Sequence, residues 1–135
     1  MKTLLKGVLL ILFSFASQYG FAKDLGYDPE ADPFEQYHEA IEQAQRENKL
    51  VLVIAGGDWC RWCHVLEQLV ASDREVETRL HETFVVMKVY VGFDNYNDLF
   101  FSQLPPAKGA PHFWIISPEK EILASQSTSG FEAGK

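Results

Sequence analysis

At 135 residues with a formal net charge of −7, the chain can fold as one domain with a modest core. That acidity argues against nucleic acid as a partner and against adhesion to anionic lipid surfaces. Its two cysteines, Cys60 and Cys63, stand two residues apart, and a bridge closing so short a loop would constrain little of the unfolded chain.

Residues 1–22 read as an export signal. Lys2 and Lys6 give the positive start, Gly7 to Ala16 a short apolar core, and Gly20-Phe21-Ala22 a small-residue cleavage site. The apolar run is well short of the about 20 residues that span a bilayer. Cleavage after Ala22 is expected, with no stable membrane insertion afterwards and an extracytoplasmic (periplasmic or secreted) location. Residues 23–32 form a polar lead-in containing Gly26 and Pro29, residues 33–125 the domain, and residues 126–135 a polar tail.

Asp32-Pro33 opens a helix, with Asp as N-cap and Pro at the first position. Phe34, Tyr37, Ile41 and Ala44 recur at helical spacing, and the helix ends near Asn48. Leu50 to Ala55 is a continuous apolar run suited to a strand covered on both faces. Gly56-Gly57-Asp58 breaks it and leads into Trp59-Cys60-Arg61-Trp62-Cys63-His64, after which Val65, Leu66, Leu69 and Val70 continue at helical spacing. Ser72-Asp73 ends that helix, and Arg74 to Glu82 is another. Phe84 to Val91 is a strand interrupted by Lys88. Asp94-Asn95-Tyr96-Asn97 is a turn, Asp98 to Leu104 a short helix, and residues 105–111 are irregular. His112 to Ile116 and Glu121 to Ala124 are strands, joined as a hairpin through Ser117-Pro118-Glu119-Lys120. This order of elements predicts an α/β sheet of mixed direction flanked by helices.

A strand feeding a Cys-x-x-Cys helix start is the arrangement that reversible dithiol chemistry needs. A helix beginning at Cys60 puts both sulfurs on one face, a turn apart. Cys60 then meets the unpaired N–H groups and positive dipole end, so its thiolate is favoured over that of a free cysteine. Arg61, and His64 when protonated, add positive charge. Cys63, inside the first turn, is expected to be the more buried and the more protonated. Cys60 is therefore the nucleophile, and Cys63 resolves the mixed disulfide.

Leu50 to Cys63, with its strand and Trp-Cys-x-x-Cys, resembles the thioredoxin-like superfamily, and Gly109-Ala110-Pro111-His112-Phe113 resembles that family's cis-proline loop. The resemblance spans roughly Phe34 to Ala124. It implies a thioredoxin-like fold and a protein thiol–disulfide oxidoreductase. It also implies that Pro111 is cis and faces the cysteines across a substrate groove, with the backbone at Ala110 pairing with an extended peptide. Trp59, Arg61 and Trp62 would edge that groove. No cofactor beyond the Cys60–Cys63 disulfide is implied, and no metal. Partners would be exported cysteine-containing proteins and a membrane electron carrier, with family habit favouring the reductase direction.

Three departures from the family stand out, of which one is the dipeptide between the cysteines, Arg61-Trp62 rather than Gly-Pro, so that the redox potential is not to be taken from thioredoxin. Ile54 occupies the place of the buried Asp that moves the resolving cysteine's proton. Lys88 matches the lysine that pairs with that Asp, and so stands without its partner. No sequence for a closing C-terminal helix follows Ala124, so that helix is expected to be missing. Glu67, one turn after Cys63, is placed to take its proton, although an exposed helix carboxylate is the commoner reading.

Other functions remain open on sequence. Cys60-Arg61-Trp62-Cys63-His64 also spells the c-type haem attachment pattern, with Met87 a poor distal ligand inside a strand. Two Cys with His64 and one of His38, His81 or His112 would make a zinc set. Asp94, Asn95, Asn97 and Asp98 resemble a calcium loop in composition only. Trp59 is expected to be partly core. A binding or folding-helper module without redox turnover is the principal alternative to an enzyme.

Overall fold

In the computed structural model, residues 24–132 are described; the segment read as an export signal, with its expected cleavage after Ala22, lies outside them. Helix α1 spans Pro33–Glu47. Its Asp32 N-cap carboxylate accepts the Phe34 N–H at 2.8 Å, and Pro33 takes the first turn, where a missing N–H costs nothing. Asn48 closes it in the left-handed region at φ 53°, with its N–H on the Ala44 carbonyl.

Strand β1 (Leu50–Gly56) then runs through the centre of a four-stranded sheet of order β2-β1-β3-β4. It pairs in parallel with β2 (Phe84–Tyr90) and antiparallel with β3 (His112–Ile116), which pairs antiparallel with β4 (Ile122–Ser127). The mixed sheet is as expected. Between β1 and β2 lie helices α2 (Arg61–Ser72) and α3 (Arg74–Thr83); Asp73 ends the first and caps the second through the N–H groups of Glu75 and Val76. Helix α4 (Asp98–Phe101) is shorter than its pattern, and a turn leads from it to Pro105-Pro106.

Alternation along β1 separates two cores. Val51, Val53 and Ala55 face Ala40, Ile41 and Ala44 of α1 together with Trp114 and Phe100. Leu52 and Ile54 face the other way, into a cluster with Leu25, Tyr27, Cys60, Cys63 and Tyr90. The cysteines therefore belong to the second core, on the side covered by α2 and α3.

Two boundaries differ from the sequence reading. Strand β4 runs to Ser127 and is followed by a 3₁₀ turn, Thr128–Gly130, in which Thr128 is buried and donates to the Pro111 carbonyl at 2.9 Å. Residues 126–130, read as the start of a polar tail, are thus integral to the domain; small polar side chains suit an edge strand exposed on both faces. The lead-in also packs as part of the domain, with Leu25 and Tyr27 buried. Among the described residues no α-helix follows β4.

The core assignment predicts that Ile41→Ala, 2% exposed between α1 and the sheet, lowers unfolding free energy by about 2–5 kcal/mol in urea titration. Phe93→Ala, at a residue 96% exposed, should change it by no more than about 0.5 kcal/mol.

Candidate active site

The backbone leaves β1 at Gly56 and turns through Gly57-Asp58-Trp59, with the Cys60 N–H on the Gly57 carbonyl at 3.0 Å. Cys60 is the N-cap of α2, and its sulfur accepts the Cys63 N–H at 3.1 Å. A thiolate there takes the place of a capping side chain and meets the positive end of the helix. Cys60 and Cys63 are joined as a disulfide, Cα to Cα 5.2 Å apart.

Exposure does not separate the two sulfurs as expected: the residues are 3% and 2% exposed. Their surroundings do. Cys63 lines a partly open cavity of about 170 Å³ together with Tyr27, Ile54, Glu67, Lys88 and Phe113, which Cys60 does not reach. The back of Cys63 is pressed against β1. A Cβ built on Gly56 would stand 2.6 Å from Cys63 Sγ, 2.8 Å from Tyr27 Cζ and 2.9 Å from the Tyr27 hydroxyl oxygen, so only glycine fits.

Lys88 is not left without a partner. Its ammonium donates to Glu67 Oε2 at 2.7 Å and to the Leu25 carbonyl at 2.5 Å. The carboxylate that Ile54 lacks on β1 is supplied from α2, on the cavity wall behind Cys63. Glu67 is correspondingly half-buried rather than an exposed helix residue. Tyr27 lies under this pair, its ring 5.7 Å from Lys88 Nζ. Burial, reinforced by the Glu67 and Asp58 carboxylates, pushes its phenol well above the usual range, so it remains a donor.

The front of the site is apolar. The Ala110–Pro111 peptide bond is cis, and Ala110 packs against the cluster that holds both cysteines. A groove of about 480 Å³ runs beside it, lined by Trp59, Phe93, Tyr96, Phe101 and Ala110. Trp59 is 59% exposed, correcting the partly-core expectation; its indole N–H on the Val91 carbonyl, 2.7 Å away, holds the ring over the groove. Trp62 is half-buried beside Pro111, with the Arg61 guanidinium 5.8 Å from its ring centroid.

The histidines are not gathered around the cysteines. His64 donates from Nε2 to the Asp58 carbonyl at 2.6 Å, which braces the turn before Cys60. His38 is exposed beside Glu42, and His81 is exposed on α3. His112 is buried: Nδ1 accepts the Lys108 N–H at 3.2 Å, and Nε2 then faces the Ser125 hydroxyl at 2.9 Å. Among the described residues no three His, Cys, Asp or Glu side chains are grouped to hold a metal ion. The acidic turn is likewise committed internally, Asn95 to the Pro29 carbonyl, Asn97 to the Tyr90 carbonyl and Asp94 to the Tyr90 hydroxyl.

The thioredoxin-like family matches residues 32–118, well over half of the sequence. The chain belongs to the thioredoxin-like family. Among solved structures this thioredoxin-like chain is similar to a disulphide isomerase from Xylella fastidiosa Temecula1, with a TM-score of 0.68 and 23% identity, covering 76% of this chain and 79% of that one. At that identity the likeness speaks for the fold. Curated relatives are the spermatogenesis-associated protein 20 of Homo sapiens, 35% identical over 63 residues, and of Mus musculus, 32% identical over 63 residues. Those stretches cover 47% of this chain and 8% of either relative, so the thioredoxin-like chain spans a small part of their length.

Three residues of the site were missed on sequence: Gly56, Asp58 and Tyr27. Gly56 was read as a strand breaker, although a glycine at the last position of a buried strand is a sign of close approach. Asp58 accepts the Leu25 N–H at 3.2 Å, and Tyr27 precedes the matched domain; no local pattern announces either contact.

Two outcomes follow from this geometry. Gly56→Ala must displace Cys63 or Tyr27 and should cost about 1–3 kcal/mol by thermal denaturation of the disulfide form. Burial, with Lys108 nearby, lowers the His112 pKa below the ordinary 6.5, so below that pH the unfolded chain binds the proton more readily than the native one. Unfolding free energy should therefore fall as pH drops from 7 through 6, with a smaller slope in His112→Gln.

Proposed function

We propose that this protein is a thiol–disulfide oxidoreductase that acts on cysteines of other exported proteins. The carrying observation is the position of Cys60, a helix-capping sulfur that accepts the Cys63 N–H, joined to Cys63 at the end of a buried strand beside a cis-proline. Membership of the thioredoxin-like family supports the same reading.

In the reductase direction, the Cys60 thiolate attacks a client disulfide and releases one client thiolate. Cys63 then attacks Cys60 Sγ, displaces the second client thiolate and closes the Cys60–Cys63 disulfide. A membrane electron carrier restores the dithiol. The apolar groove edged by Trp59, Phe93 and Tyr96 suits an unfolded client segment, held as an extended peptide beside Ala110. The disulfide itself is the only redox group required. An extracytoplasmic setting fits the export signal read at residues 1–22, and among the described residues no helix is long and apolar enough to cross a membrane.

A second reading, a client-binding module without turnover, draws on the exposed aromatic groove. Turnover of a protein disulfide with dithiothreitol separates the two. The oxidoreductase reading expects activity that disappears in Cys60→Ser, and mixed disulfides with clients that accumulate in Cys63→Ser. Turnover unaffected by Cys60→Ser, or client binding without turnover in the wild type, would overturn it.

A further inference from the structure

The strap formed by residues 24–27 lies ahead of the matched family domain, yet it is tied into the site at three points. The Leu25 N–H donates to Asp58 Oδ1 at 3.2 Å, and the Leu25 carbonyl accepts from Lys88 Nζ. Gly26 turns over the Lys88 side chain at φ +84°, a backbone that favours glycine. This delivers Tyr27 to the back of Cys63, where the Tyr27 hydroxyl oxygen and Cys63 Sγ flank the bare face of Gly56.

We propose that the Tyr27 hydroxyl is the hydrogen-bond donor that stabilises the Cys63 thiolate during resolution of the mixed disulfide, which makes the N-terminal strap part of the catalytic apparatus. The proposal rests on the oxidoreductase reading above. In the disulfide form Tyr27 is 7% exposed, and no protein group among the described residues takes the hydrogen bond of its hydroxyl, which keeps access to solvent. A donor that only solvent holds can turn to a new acceptor at little cost. Opening the disulfide creates such an acceptor, because Cys63 then carries a proton or a negative charge in a cavity walled mostly by apolar side chains.

Other groups around Cys63 serve this purpose poorly. Glu67, on the same helix, accepts only and would repel a thiolate. Lys88 on β2 is committed to Glu67 and to Leu25. His64 on α2 is held on the Asp58 carbonyl, Asp58 faces Leu25, and His81 on α3 lines the outer part of the cavity but is an exposed residue, open to solvent. Tyr27 remains protonated because its site is buried and bordered by carboxylates. The step balances as ordinary exchange. Cys63 loses its proton to water, its sulfur bonds to Cys60 Sγ, and the Cys60–client bond breaks. The electron pair leaves with the client sulfur, which takes a proton from water.

An aromatic disulfide that releases a coloured thiolate at each step tests this in stopped flow with the reduced full chain. The first phase reports attack by Cys60, and the second reports closure by Cys63. Tyr27→Phe should leave the first phase within about twofold. It should slow the second about tenfold at pH 7 and move its pH midpoint up by about one unit, tenfold in thiolate. Tyr27→Leu, which removes the ring as well, should show at least the same second-phase loss. A Tyr27→Phe protein with wild-type second-phase rate and pH profile overturns the role of the hydroxyl, whatever Tyr27→Leu does. A wild-type protein that shows no second phase overturns the oxidoreductase reading and this proposal together.

Discussion

The contact on which the site depends is the one between Gly56 and Cys63. Strand β1 must end without a side chain, because the Cys63 sulfur and the Tyr27 ring occupy the space where a Cβ would be. That approach draws the first turn of α2 onto the sheet and sets Cys60 at the helix cap, where N–H groups and the helix dipole favour a thiolate. It also divides the neighbours of the two sulfurs. Cys60 stands at the helix cap next to Trp59, which lines the groove, whereas Cys63 faces a cavity with a charged pair and a phenol.

Much of this was legible in the sequence. Periodicity and caps located α1, and the unbroken apolar run of β1 announced a strand buried on both faces, because each residue type followed the local rule for its element. The Trp-Cys-x-x-Cys spacing located the disulfide, and Gly109-Ala110-Pro111 located the cis bond. The full extent of β4 was not legible, since an edge strand exposed on both faces carries no alternation to read.

The partners of Lys88 were out of reach for a different reason. A pair between Glu67 and Lys88, and a strap that brings Leu25 and Tyr27 to the same place, are contacts between distant stretches of chain. Only the fold brings them together. Their arrangement changes the meaning of Ile54: the apolar residue on β1 is matched by a carboxylate on α2, so the cavity behind Cys63 remains polar on one wall. Trp59 was misread because its indole is satisfied by the Val91 carbonyl at the surface, and so has no need of the core.

The central claim is that Cys60 and Cys63 form a working redox couple. Equilibration of the full chain with defined ratios of reduced and oxidised glutathione, followed by trapping of free thiols, tests it most directly. The account predicts reversible, two-electron interconversion of dithiol and disulfide with a single midpoint potential. A pair that stays closed, or stays alkylatable, across the whole range of glutathione ratios would contradict it.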